Sequence, residues 1–454
     1  SHLSGDLHIT NPGIWSLLPD TIFINVKELI EDGLDLKGKC LGVTRISSIK
    51  DLDNLITSLS MVISLVSKET SQEVVMDGLV SLLSKHSKDI SELELRLTNA
   101  FSTASTSSKY GKSPTLVSFL VQLGSDTKII KAILSAYKEY TKITPIPKIG
   151  LIIDYEKGNV TDVSDVLSEI IALGGQIFLT KEQASNKGIL RVDIKNAGTT
   201  SIKLQSLSIN LPRLAFESNK DETYFRARLA LLMKPALSSM SLRKKDVSDL
   251  TRRGLNPILA SNTQYMQRGS VSLVINLVGL REAVFHILGY EGNKEGKDIL
   301  YKVIDTAVSV AKKKGKETGD TVNVCMVESE GSSRFATLDG EKYGKMSILK
   351  TIEGESYSEG IAFDAGEISG FSAKSDKIVE CNRMAKMLDG GLLTRIKFSK
   401  DAKADEIKSI IEKASDLLSS FKPVKKVAIC GNCGLKDEKL GDKCPKCKSP
   451  YIIN

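Results

Sequence analysis

The stretch KIGLIIDYEKGNVTDVSDVLSEIIALGGQIFLT (residues 148–180) decides the fold class of this chain. Its first eight residues form an apolar run typical of a strand, and QIFLT (176–180) forms a second one. Between them, VSDVLSEIIALGG (163–175) has apolar residues at helical spacing and ends on glycines that favour a helix stop. A strand, a helix and a strand in this order predict α/β architecture.

The same patterns recur on both sides of this stretch. Further strands are predicted in 201–211, 270–280, 321–327 and 394–398. Further helices are predicted in 50–68, 74–83, 131–140, 221–236, 281–289, 295–314 and 401–421. The Ser/Thr-rich residues 98–114 predict a loop, and the charged residues 241–254 predict a solvent-exposed surface. We expect one large domain over residues 1–424 and a separate tail over residues 425–454.

Composition excludes several protein classes. A hydrophobic share of 41% and a charged share of 26% are ordinary for a soluble globular protein of 454 residues. The sequence has no apolar run of eighteen residues and no charged-then-apolar leader, so we expect a cytoplasmic protein without a membrane span. The seven cysteines form no dispersed framework, which argues against a disulfide-stapled secreted protein.

The tail CGNCGLKDEKLGDKCPKCK (430–448) predicts a metal site. Two CxxC pairs, Cys430 with Cys433 and Cys444 with Cys447, are spaced as in zinc ribbons, where two knuckles complete a tetrahedron of sulfurs. With no histidine nearby, the site is expected to hold a structural Zn²⁺ ion. A pair of redox-active dithiols is the alternative.

The tail is also rich in lysine. From Phe421 onward there are eight lysines and three acidic residues, a balance that favours a phosphate-rich partner such as RNA. A lysine-rich solubilising surface explains the charge equally well, and zinc with four thiolates would subtract about two charges. The candidate contact residues are Lys425, Lys426, Lys436, Lys443, Lys446 and Lys448.

Six stretches, in this order, resemble one family, the anaerobic (class III) ribonucleoside-triphosphate reductases of the glycyl-radical type. They are SGDLHI (4–9), SINLPRLAF (208–216), NLVGLREAV (276–284), VESEGSSRFATLDGEKYG (327–344), MLDGGLLTRIKF (387–398) and the four-cysteine tail. The resemblance implies a ten-stranded α/β barrel with a finger loop at its centre and a C-terminal zinc ribbon. It also makes a homodimer a candidate assembly.

The resemblance also locates residues that the family's radical chemistry needs. Thr21 and Ile22 stand about where reductive cysteines belong, and residues 185–196, where a finger-loop cysteine belongs, contain none. The radical glycine is expected after the ribbon, but the sequence ends at PYIIN. Cys40 is one candidate for rescue, with a buried apolar thiol as its alternative role. Cys325 and Cys381 are predicted to be core or surface thiols.

Two functions follow from these departures. The first is a catalytically inactive homologue used as a binding or regulatory protein, docking on RNA or ribosomal particles through the ribbon. Nucleotide sensing is a rival within that class, with a pocket lined by Asn210, Arg213, Glu328 and Arg334, although structural roles fit these residues at least as well. The second is a divergent or partner-dependent reductase. The sequence favours the absence of enzymatic activity and predicts no catalytic residue.

Overall fold

The computed structural model describes residues 1–36, 45–106, 115–181, 201–261, 271–289, 294–345, 356–437 and 440–453. Most of its strands belong to one curved sheet. The strands are β1 (Leu7–Ile9), β2 (Thr21–Asn25), β3 (Leu34–Asp35), β4 (Arg45–Ile46), β5 (Glu73–Asp77), β6 (Leu116–Gln122), β7 (Ile149–Asp154), β8 (Gln176–Thr180), β9 (Ser201–Asn210), β10 (Val271–Val278), β11 (Thr321–Met326), β12 (Ile361–Asp364), β13 (Gly391–Leu392), β14 (Thr394–Phe398), β15 (Ser420–Lys425), β16 (Ile429–Cys430) and β17 (Ile452–Ile453).

The sheet closes into a barrel through one strand. β13 pairs with β11, β14 pairs with β15, and Leu393 alone separates β13 from β14. Leu393 donates its N–H to Met326 O at 2.9 Å and accepts the N–H of Ile361 at 2.8 Å. Counting β13 and β14 as one strand, the wall has ten strands in the order β2-β5-β6-β7-β8-β15-β14-β11-β10-β9, with β9 returning to β2. The ten-stranded α/β barrel is confirmed.

The wall consists of two parallel halves. Strands β2, β5, β6, β7 and β8 run parallel to one another, and so do β9, β10, β11, β13 with β14, and β15. The halves meet at two antiparallel junctions, where Thr21 faces Lys203 and Thr180 faces Ser420. Parallel strands need crossover connections, so helices are expected along the outside of the wall.

The helices supply that outer layer. They are α1 (Val26–Ile30), α2 (Leu52–Glu69), α3 (Leu79–His86), α4 (Ile90–Thr106), α5 (Thr127–Ile143), α6 (Ser164–Ala172), α7 (Leu211–Glu217), α8 (Glu222–Arg252), α9 (Pro257–Ser261), α10 (Leu280–Leu288), α11 (Lys294–Thr318), α12 (Gly331–Tyr343), α13 (Ala365–Gly370), α14 (Asp376–Met387) and α15 (Ala404–Leu417). The main apolar core lies between their buried faces and every second wall residue, for example Ile22, Phe119 and Leu151.

A buried ion pair stabilises one junction between the halves. β9 has an extra residue where Leu204 faces Leu273 and Leu207 faces Ile275, and the N–H groups of Gln205 and Ser206 point to Asp20 Oδ2 at 2.6 and 2.9 Å. Arg243, on α8, bonds both oxygens of Asp20 at 2.6 and 2.9 Å. Both side chains are buried. The pair thus satisfies the amides that a β-bulge leaves unpaired.

Several sequence predictions require correction. Residues 74–83 are a strand followed by a helix rather than one helix, since Gly78, with φ 83°, separates β5 from α3. The loop predicted over 98–114 is wrong up to Thr106, where α4 ends, and residues 107–114 lie outside the described part of the chain. The stretch 241–254 lies largely within α8 and buries Arg243. The helix predicted to reach residue 421 ends at Leu417 and gives way to β15.

The other predicted strands and helices are confirmed in type, and also in approximate extent, except that the helix predicted over 221–236 continues to Arg252. Each carries a clear period of 2 or 3.6 residues, or an apolar run of strand length, and that pattern sets its type. In the described part of the chain, no helix is both long enough and apolar enough to span a lipid bilayer.

Candidate functional site

Four cysteine sulfurs converge at the end of the chain. The Sγ atoms of Cys430, Cys433, Cys444 and Cys447 all lie within 4.8 Å of one another. The Cys430–Cys447 distance is 3.5 Å and the Cys433–Cys444 distance is 3.6 Å. A tetrahedral zinc–sulfur centre with Zn–S bonds of about 2.3 Å separates its sulfurs by roughly 3.8 Å. The predicted donor set is therefore assembled at nearly the spacing that zinc requires.

The two CxxC segments have the same backbone hydrogen bonds. In the first knuckle (430–435), Cys430 N–H donates to Leu435 O and Gly434 N–H donates to Cys430 O, both at 2.9 Å. The second knuckle (444–449) repeats the pattern: Cys444 bonds Ser449 O and Lys448 bonds Cys444 O, again at 2.9 Å. Such turns aim both sulfurs of a knuckle at one point.

Without a cation, the four clustered sulfurs do not all ionise. The Asn432 amide lies 3.5 Å from Cys447 Sγ and lowers the pKa of that thiol to about 6. The Leu435 amide favours the Cys433 thiolate, but burial and the neighbouring sulfurs outweigh it and raise the pKa of Cys433 to about 12. Four thiolates cannot coexist at this spacing without a compensating positive charge, which a divalent metal ion supplies. The residues present therefore fit a structural Zn²⁺ ion.

The ribbon is attached to the barrel by a lysine. Lys436 Nζ donates to Thr141 O at 2.9 Å and to Leu173 O at 3.2 Å, at the C-terminal ends of α5 and α6. Carbonyls at helix C-termini attract cations because the helix dipoles end there. Burial lowers the pKa of Lys436 to about 8. Gly434 packs so tightly on Pro145 that an added Cβ would lie 2.9 Å from its Cγ.

The six candidate nucleic-acid lysines separate into two groups. Lys426, Lys443, Lys446 and Lys448 are exposed on the ribbon. Lys425 is only 7% exposed within the barrel wall, and Lys436 is occupied by the helix carbonyls. The burial of Lys425 and the hydrogen bonds of Lys436 favour structural roles for these two lysines over nucleic-acid contact.

Apolar side chains fill part of the barrel lumen. Inward-facing residues of the first half meet Leu393 from the opposite wall in a separate cluster. The members are Phe23, Val75, Leu120, Ile152, Phe178 and Leu393. Cys325, Val274 and Val327 form a second inward cluster, and the Cys325 thiol lies 3.6 Å from Asn276 Oδ1. Side chains alternate between the two faces of the strand in TVNVCMV (321–327). Because Val322 and Val324 face the outer core, Cys325 faces the lumen.

A polar cavity of about 460 Å³ lies at one mouth of the lumen. Gln72, Gln176 and Gln205 line it together with Glu328, Glu330, Glu359 and Lys422. Lys422 pairs with Glu328 at 3.1 Å, and Arg395 lies 3.4 Å from Glu359. Burial raises the pKa of Glu359, the first of several causes. Since two of its three carboxylates are paired with cations, the lining carries only a small acidic excess.

Comparison with known proteins identifies the family. The family model for anaerobic ribonucleoside-triphosphate reductases matches residues 146–453, more than half of the chain. The chain belongs to this family. No protein with a curated description matches the sequence.

Solved structures support the same fold. The anaerobic ribonucleotide reductase of Thermotoga maritima, in complex with dATP and CTP, is similar with a TM-score of 0.71 and 16% identity, covering 99% of this chain and 81% of that one. A glycyl radical enzyme from Archaeoglobus fulgidus has a TM-score of 0.58 and 12% identity, covering 84% and 63%. At these identities the similarity establishes the barrel fold alone.

The positions where the resemblance leads one to expect the family's cysteines hold other residues in this sequence. Thr21 is buried, and its hydroxyl accepts a hydrogen bond from Gln205 Nε2 at 2.8 Å. Ile22 faces the outer core and is fully buried. The finger-loop position in residues 185–196, and Cys40, lie outside the described residues. Cys325 and Cys381 are buried, as expected of core thiols.

Three of the four candidate nucleotide-binding residues are occupied by contacts within the protein. Arg213 Nε donates to Asp339 Oδ1 at 2.6 Å, and Asn210 Nδ2 donates to Asp339 Oδ2 at 2.9 Å. Both side chains are buried. Arg334 donates to His2 O at 2.6 Å. Glu328 alone of the four lines the mouth cavity. These contacts favour structural roles for Asn210, Arg213 and Arg334.

Proposed function

We propose that this member of the anaerobic ribonucleoside-triphosphate reductase family is catalytically inactive and works as a binding protein in the cytoplasm. The proposal is supported by Thr21 and Ile22, which stand about where the resemblance leads us to expect the reductive cysteines. Radical reduction needs thiols because no other side chain exchanges hydrogen reversibly with carbon. Neither replacement is open to such a role, since Thr21 is hydrogen bonded to Gln205 and Ile22 points away from the lumen.

The sequence between Cys40 and Cys325 supports the same conclusion. It contains no cysteine at all, so no residue from that interval can supply a finger-loop thiol.

The binding partner that we propose is RNA, including RNA exposed on ribosomal particles. Lys426, Lys443, Lys446 and Lys448 place four ammonium groups on the exposed ribbon. Lysines of this kind neutralise phosphates and release counterions from the nucleic acid. Lys436 holds the ribbon against α5 and α6, so the barrel serves as its support.

Sedimentation of a native lysate through a density gradient tests this proposal. We expect the protein to migrate with ribosomal particles at low salt and to return to the free fraction at high salt or after ribonuclease treatment. A variant with Lys443→Glu and Lys446→Glu should stay free. The matched control carries Lys313→Glu and Lys316→Glu on the exposed end of α11 and should migrate as the wild type does.

Two outcomes would overturn the proposal. Migration as a small free species under every condition would exclude docking on RNA particles. Reduction of a ribonucleoside triphosphate by the purified protein, with a radical-generating partner added, would show that the barrel has kept an activity.

A further inference from the structure

We infer that Tyr451 is a stacking platform for an unpaired RNA base, with Lys443, Lys446 and Lys448 binding the adjacent phosphates. This inference deepens the proposed function and rests on it. It names single-stranded RNA as the ligand and the end of the ribbon as the contact surface.

Tyr451 is presented to solvent by a fixed backbone. Its side chain is 75% exposed, among the most exposed large hydrophobic residues in the described part of the chain. Its N–H donates to Ser449 Oγ at 3.2 Å, and its carbonyl accepts the N–H of Gly431 at 2.8 Å. The first contact joins Tyr451 to the second knuckle and the second contact joins it to the first. Because both knuckles hold it, little backbone freedom is lost when a ligand stacks on the ring.

The backbone at Lys448 gives a second indication. Lys448 has φ 60°, and the equivalent residue of the first knuckle is Gly434, with φ 70°. Left-handed backbone favours glycine, so lysine at this position is not the choice that folding alone would make. An exposed lysine at an unfavourable backbone position points to a use for its side chain.

The charge balance indicates why stacking is needed. Residues 426–453 contain six lysines and three acidic residues. A zinc ion with four thiolates carries about −2, which reduces the net charge of the ribbon to roughly +1. A surface with so little charge binds phosphates weakly by itself. An aromatic ring adds a contribution that does not depend on charge, since bases stack on aromatic side chains.

Stacking also selects the form of the nucleic acid. In a duplex, both faces of each base are covered by neighbouring bases, whereas unpaired bases in loops and single strands can stack on protein side chains. Tyr451 is exposed on the ribbon, as are its neighbours Pro450 and Ile453. Its ring can therefore stack on an unpaired base but not on a base inside a duplex.

Fluorescence anisotropy of the zinc-loaded full chain with labelled RNA tests the inference. The probes are a single-stranded oligomer of about twelve nucleotides and a duplex of the same length. We expect Tyr451→Ala to weaken binding of the single strand about tenfold, and Tyr451→Phe, which keeps the ring, to bind like the wild type. Tyr224→Ala removes a half-exposed tyrosine from α8 and is the matched control. Zinc content, measured for every variant, shows that the ribbon is intact.

Salt titration separates the two kinds of contact. Tyr451→Ala should leave the salt dependence of binding unchanged, and Lys446→Ala should lower the slope by about one phosphate contact. The inference is overturned if Tyr451→Ala binds as the wild type does while the lysine variants lose affinity, an outcome that leaves RNA docking standing. If the wild-type protein binds neither probe, the proposed function and the inference fail together.

Discussion

The barrel and the ribbon are stabilised by different means. The barrel has a large apolar core between its wall and the surrounding helices, and smaller apolar clusters inside its lumen. The ribbon has a small cluster around Ala428, Leu440 and the cysteines, too little for a segment of this length to fold by burial alone. We therefore expect the barrel to fold without metal and the ribbon to fold only with it. Loss of the metal should therefore unfold the C-terminal ribbon and leave the larger domain folded.

Metal removal is expected to have the largest effect. Structural zinc contributes on the order of 10 kcal/mol to small domains of this kind. A strong chelator, or the substitution Cys444→Ser, should abolish amide protection in residues 426–453 and leave protection in β5, β6 and β7 intact. Hydrogen exchange measures both regions in one experiment. Cys381→Ser, at a buried thiol outside the cluster, is the control and should retain zinc. Simultaneous loss of protection in the barrel would contradict the comparison.

Removal of Arg243 tests how much the buried ion pair contributes to the stability of the barrel. Arg243→Leu leaves Asp20 as an unpaired buried charge, which costs about 3–5 kcal/mol. Urea unfolding should show this loss, with zinc content unchanged. Arg253→Leu removes a mostly exposed pair with Asp249 and should cost no more than about 0.5 kcal/mol. Equal losses in the two variants would show that the bulge in β9 does not depend on the buried pair.

The Asp20–Arg243 ion pair should make the stability of the fold depend on pH. Burial raises the pKa of Asp20, but Arg243 and several hydrogen bonds outweigh it, so the net pKa lies below its usual value. A lowered carboxyl pKa stabilises the folded state above the unfolded pKa of about 3.9 and loses that contribution as the pH falls. The difference in stability between wild type and Arg243→Leu should therefore shrink below about pH 4. An unchanged difference at pH 3 would exclude ionised Asp20 as its source.

The contact between the two regions should have a smaller effect. Lys436→Met removes the cation from the ends of α5 and α6, at an expected cost of up to about 2 kcal/mol. Hydrogen exchange should rise at the ends of both helices, while zinc remains bound. Lys426→Met, at an exposed position of the ribbon, is the matched control. Loss of zinc from Lys436→Met would mean that the ribbon depends on the barrel for its own fold.

Lys448→Gly should give the smallest change in stability, and it should stabilise the ribbon where the other substitutions destabilise the protein. Glycine adopts the left-handed backbone of the second knuckle without strain, which should stabilise the folded ribbon by roughly 1 kcal/mol. The greater conformational entropy of glycine in the unfolded chain offsets part of this gain. Competition with a zinc chelator should show equal or slightly tighter zinc binding. Lys446→Gly, whose backbone is not left-handed, should show no gain. A clear loss of zinc affinity in Lys448→Gly would indicate that the lysine side chain supports the knuckle directly.

Sequence patterns predicted six of the ten wall strands because each of these carries its own period or an apolar run of strand length, whereas the barrel itself was implied by the family resemblance. They failed where an apolar run is compatible with either a strand or a helix. Val74, Val75 and Met76 are all buried, on both sides of the wall, so the spacing of apolar residues does not distinguish strand from helix there. They also failed where charge is buried. Arg243 and Lys436 each lie in a charged stretch that reads as surface, and their partners are a distant carboxylate and two backbone carbonyls that no local pattern reveals.

The cysteine cluster was predictable for the opposite reason, since all four cysteines lie within eighteen residues and their spacing alone indicates a metal site. The lining of the mouth cavity was not predictable. It comes from strands and loops distributed over most of the chain, as Gln72 and Lys422 illustrate, and the closure of the barrel brings them together.

The antiparallel junction between β8 and β15 has a consequence for how the barrel folds. Thr180 pairs with Ser420, 240 positions further along the chain. Contacts over such a separation form slowly, because a long loop must close before the pairing is gained. Until β15 arrives, β8 is an unprotected strand edge, a site where unfinished chains pair with one another and aggregate. The refolding yield of this protein should therefore fall steeply with concentration, and chaperones that shield strand edges should restore it.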